Sequence, residues 1–111
     1  MAFLKIIQSQ LNFVSECSRT RKLLQNLNRM MKTSNEILEY LDHVYASLVS
    51  DYEEVYNATR VLIVDPALTP QQKVDLQWGL VHLHTQFELM KLAINAHQKG
   101  LETIASKPLQ D

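Results

Sequence analysis

Between Met1 and Val64 the chain contains neither glycine nor proline. A strand-and-turn fold needs those residues at its corners, so the first 64 positions offer long helix and little else. Periodicity agrees. Steps of three and four from Phe3 to Leu62 land on apolar or aromatic side chains everywhere except Gln10, Thr20, Ser34 and Thr59. A 3.5-residue repeat of this kind keeps one stripe facing a partner along a supercoil. The stripe widens mid-tract, because Leu23, Met30, Ile37 and Val44 fall at the neighbouring position. A face that broad suits packing against more than one helix, as in a bundle.

The first interruption is Val64-Asp65-Pro66-Ala67-Leu68-Thr69-Pro70. Pro66 disfavours helical geometry at Asp65 and closes the first tract. Thr69 then reads as an N-cap, Pro70 as the first helical residue, and Gln72 as the second half of a Thr-x-x-Gln capping box. So short a joint, residues 65–69, makes its flanking helices antiparallel neighbours. The second tract, 70–106, carries Leu76, Leu80, Leu83, Phe87, Met90, Ile94, Leu101 and Ile104 on one stripe, interrupted by His97. A second apolar edge holds Val74, Trp78, Val81, Leu92 and Ala96, again broader than one partner needs. Gly79 sits beside Trp78, where it would permit close helix approach. Pro108 ends the tract and leaves 107–111 as a tail.

The fold class is therefore all-α, one helical domain over residues 1–106. Within it two architectures compete. The unbroken phase of the stripe through Met31, Ser34 and Leu38 favours one continuous helix over 2–64, folded with 70–106 as a long antiparallel, coiled-coil-like hairpin. Such a helix would be about 90 Å long, far outreaching its partner. The alternative is a compact three-helix bundle broken near residues 32–35, where Thr33-Ser34-Asn35-Glu36 reads as another capping box. On either reading the core and interface positions are Leu24, Leu27, Met31, Leu38, Leu41, Tyr45, Leu48, Leu80, Leu83, Phe87, Met90 and Ile94.

Charge is segregated along the chain, although the overall net is only −1. Residues 1–32 set Lys5, Arg19, Arg21, Lys22, Arg29 and Lys32 against Glu16, a net of +5. Residues 33–68 set seven acids against Arg60, a net of −6. This favours laying the basic segment antiparallel to the acidic one, with residues near 20 opposite residues near 45, inside one chain or between two.

Catalytic and metal-binding constellations are sparse. His82 and His84 are two residues apart, which puts them on opposite sides of a helix, and the i, i+4 histidine pair of helical zinc sites does not occur. Cys17 lies on the stripe as a small hydrophobe; a nucleophile would need a positioned base that the sequence does not supply. A redox or cross-linking thiol is its sharper alternative, and a register or pH-sensing element is that of His97. Glu36, Glu39, Glu53 and Glu54 read as solvated helix surface. No enzyme activity, cofactor or metal is expected.

The function expected is a non-enzymatic helical interaction module, an adaptor, scaffold or assembly factor. It would associate through its heptad-spaced faces with itself, as an antiparallel homodimer, or with another helical protein. The alternatives are a small nucleic-acid-binding regulator using Arg19, Arg21, Lys22, Arg29 and Lys32 on phosphates, and a helical component of a bacterial secretion or conjugation apparatus. One cysteine and no apolar run of membrane-spanning length place it in the cytoplasm.

Overall fold

A computed structural model describes the backbone of residues 2–27 and 33–106, with side chains as far as residue 100. The described residues form three helices and no strand: α1 (Ala2–Leu24), α2 (Ser34–Ile63) and α3 (Pro70–Ser106). They make a slender bundle with principal extents of 68 × 20 × 16 Å.

The first tract is therefore broken, and the continuous 2–64 helix is corrected to the three-helix alternative. Both ends of the break have a chemical cause. At the end of α1 the Asn26 N–H bonds the Leu23 carbonyl at 3.0 Å, and the Asn26 side-chain amide donates to the Lys22 carbonyl at 3.3 Å. The last turn is tightened, and the carbonyls of Lys22 and Leu23 are satisfied without glycine or proline. Arg21 and Lys22 stand in that turn, where cations suit the helix dipole. At the start of α2, Thr33 is extended (φ −123°, ψ 153°) and its hydroxyl accepts the Glu36 N–H at 3.1 Å. The phase of the stripe survives because both helices turn the same seam inward.

The second joint is built as its sequence predicts. Asp65 Oδ1 accepts the Ala67 N–H at 2.9 Å across Pro66, an Asx turn. The Thr69 hydroxyl accepts the Gln72 N–H at 3.1 Å while Gln72 Oε1 accepts the Thr69 N–H at 2.9 Å, a reciprocal capping box.

Contacts between helices set the topology. Gln10 meets Thr59, and Phe13 meets Tyr52, so α1 runs antiparallel to α2. Tyr52 stacks on Phe87 and Asp42 pairs with Gln98, so α2 runs antiparallel to α3. α1 and α3 are consequently parallel, with Gln10 set against Leu76 and Gly79, and Ile7, Val14, Asp75 and His82 lining the groove between them. Thr20 and Val44 line another groove, which places residues near 20 opposite residues near 45 within one chain. The side chains of Arg19, Arg21 and Lys22 make no ion pair with α2 among the described residues. Antiparallel order here rests on packing and on the short joints.

The core is one cluster: Phe13, Cys17, Leu24 and Leu27 from the first segment, Ile37, Leu41 and Leu48 from α2, and Leu83, Phe87, Met90 and Ile94 from α3. Tyr52 binds its middle together, stacked on Phe87 at 4.1 Å and tilted against Phe13 at 6.0 Å. Of the positions expected inside, Leu38 and Leu80 are half-buried, and Met31 lies outside the described residues. Tyr45 is corrected: it is exposed, while its neighbours Val44 and Leu48 turn inward. At about 100° per residue Tyr45 stands about 40° to one side of Leu41 and Leu48 about 20° to the other, so Tyr45 falls at the edge of the inward face of α2.

Candidate interaction surface

Because α3 lies against both other helices, its inner face is closed. Its outer face is not. Val74, Trp78, Val81, Thr85, Leu89, Leu92 and Ala96 are all exposed. At about 100° per residue, these seven fall within about 40° of the direction opposite the fully buried Leu76. α3 thus carries apolar side chains on two opposite faces, the pattern of a helix buried on both sides. The sequence shows part of this stripe as a broad second edge; Thr85 and Leu89 complete it once the inner face is known.

Apolar ground borders the stripe. Val81 and Thr85 also line a groove with Tyr52, Tyr56, Leu80 and His84 on the α2 side. On the α1 side, exposed Leu11 lines a groove with Gly79 and His82. The Thr85 hydroxyl donates to the Val81 carbonyl at 2.9 Å.

The residues singled out for chemistry are dispersed. His82 opens toward α1, and His84 toward α2, where its Nδ1 lies 3.2 Å from Tyr52 Oη. No group of three or more histidine, cysteine or acidic side chains with metal-binding geometry occurs among the described residues. Cys17 is fully buried, and burial pushes its thiol up to about 11, against a smaller opposing pull from Arg21. Such a thiol stays protonated at neutral pH. Burial also raises the Tyr52 phenol, with Tyr56 and Glu88 adding to it. Arg19 and Lys22 are exposed and Arg21 half-buried; Arg29 and Lys32 lie outside the described residues. His97 is half-buried on α3.

A buried polar contact went unseen in the sequence. Gln10 Nε2 donates to Thr59 Oγ1 at 3.2 Å and to the Leu76 carbonyl at 3.4 Å, while the Thr59 hydroxyl donates to the Val55 carbonyl at 2.8 Å. Gln10 and Thr59 are two of the four polar interruptions in the first stripe, and the bundle brings them together. No described helix is long and apolar enough to cross a membrane. Comparison of the chain with protein-family models, with curated proteins and with solved structures finds no match.

Proposed function

We propose that this chain is a non-enzymatic protein–protein interaction module, an adaptor, scaffold or assembly factor that offers the outer face of α3 to another helical surface. The supporting observation is the exposed stripe from Val74 to Ala96, opposite a core that is already closed. Leu24, Leu27, Leu41, Leu48, Leu83, Phe87, Met90 and Ile94 are buried within the chain, so the heptad stripe itself is occupied and a partner meets the second face. Apolar patches of this extent on small proteins mark contact sites more often than they are accidents of composition.

A photo-crosslinking amino acid introduced at position 85 tests this in cells expressing the protein. The expected result is a covalent protein adduct that disappears with Trp78→Asp and Leu92→Asp while helicity is unchanged. Absence of any adduct, or an adduct indifferent to those substitutions, removes the reading.

A further inference from the structure

The stripe has a symmetry that selects its occupant. Its spacings from Val74 to Ala96 run four, three, four, four, three, four, so the pattern reads identically in both directions about Thr85. Each half spans eleven residues, about 3.67 per turn, which keeps the seam nearly straight along a helix of 3.6. We propose that the outer face of α3 binds a second copy of this chain, antiparallel, across a two-fold axis at Thr85; this rests on the interaction-module reading above.

In that arrangement Trp78 lies opposite Leu92 of the second copy, Val81 opposite Leu89, and Val74 opposite Ala96. The large ring meets a medium side chain and the smallest residue meets a larger one, so the seam has near-constant width. A parallel pair would stack Trp78 on Trp78 and leave Ala96 facing Ala96, too wide at one end and hollow at the other. Antiparallel helix dipoles also oppose one another. Self-complementarity of one patch is what an isologous two-fold interface requires. At the axis the two Thr85 side chains meet with their hydroxyl protons already committed to the Val81 carbonyls, so burial strands no donor.

The area suffices. Val74, Trp78, Val81, Leu89 and Leu92 are 41%, 68%, 55%, 42% and 66% exposed. With about 150–250 Å2 for each large ring and somewhat less for the aliphatics, they present on the order of 500 Å2 per copy. A pair buries about 1,000 Å2 from these residues alone, the size at which specific interfaces begin. The grooves beside Leu11 and Tyr56 add to it.

The chain's single tryptophan is Trp78, so its emission reports on this seam directly. Sedimentation equilibrium and Trp78 fluorescence are measured on the intact protein over the same concentration series. Mass doubling with a blue shift of the same midpoint is expected. Trp78→Asp, judged by mass alone, should then weaken association about 30-fold or more. Mass doubling while Trp78 stays water-exposed overturns the inference and leaves the interaction-module reading intact, with a different face in use. A strictly monomeric chain at high micromolar concentration also overturns it, and the crosslink at position 85 then decides the broader reading by itself.

Orientation has its own readout. A mixture of V81C and L89C chains is expected to form the mixed disulfide in preference to either homodimer, with fully buried Cys17 taking no part. A V81C homodisulfide as the main product overturns the antiparallel arrangement.

Discussion

Gly79 is the socket for Gln10. A Cβ built on Gly79 would overlap the Gln10 carboxamide, which is buried and held by Thr59 and the Leu76 carbonyl. Glycine inside a helix ordinarily costs about 1 kcal/mol relative to alanine, so its presence here has a steric reason. Gly79→Ala should therefore destabilise the bundle against the propensity scale, whereas Gly100→Ala, with no atom within 4 Å of the added carbon, should stabilise it by up to about 1 kcal/mol. Urea unfolding of both variants checks the sign. Gly79→Ala combined with Gln10→Ala should recover part of the loss, and a purely additive double mutant would refute the socket.

The Gln10–Thr59 contact predicts asymmetric mutational costs. Thr59→Val leaves the Gln10 amide with a single long bond to Leu76 and should cost about 1–3 kcal/mol. Replacing both residues by apolar side chains should be far less damaging than the two single changes suggest, because no orphan remains. Unfolding midpoints for the two singles and the double decide it.

Gln86 lies one heptad beyond Gly79 on the side of α3 that faces α1, and its buried Oε1 has no hydrogen-bond partner among the described residues. Gln86→Met keeps the shape and removes the stranded acceptor. A gain of about 1 kcal/mol is expected in chemical denaturation, and a loss would mean that the amide is satisfied in solution.

The Cys17 thiol gives a pH signature. Its folded value of about 11 lies above the ordinary 9.0, because burial disfavours the thiolate. A neutral-when-protonated group with a raised folded value contributes stability that is fully present below 9.0 and is lost as pH rises through about 11. Stability should thus decline over that window, and Cys17→Ala should remove that part of the decline. Subtracting the two pH profiles isolates it from the titration of Tyr52, which moves in the same direction. At neutral pH a thiol reagent should label Cys17 only as fast as the protein opens.

The two faces of α3 should respond oppositely to charge. Leu83→Asp, like Leu41→Asp on α2, places a carboxylate where no surface is exposed and should unfold the protein. Trp78→Asp should leave the far-ultraviolet circular dichroism unchanged. Unfolding by Trp78→Asp would show that this ring is core.

Helix content, the proline joint and the Thr69–Gln72 box were all determined by the sequence, because propensity, capping and proline geometry act over a few residues. The break before α2 was written there too, in Asn26 and Thr33, although a stripe of unbroken phase concealed it. Periodicity reports which face of a helix is inward and says nothing of whether the chain has turned round between two helices. Only the tertiary structure decided that the stripe closes on its own chain, that Tyr45 looks outward while Val44 looks in, and that Gln10, Thr59 and Gly79 share one site. Those outcomes depend on pairings between residues tens of positions apart, which local pattern cannot encode. The second edge of α3 shows the same division: its apolar character is local and legible, but its exposure depends on which sides α1 and α2 cover.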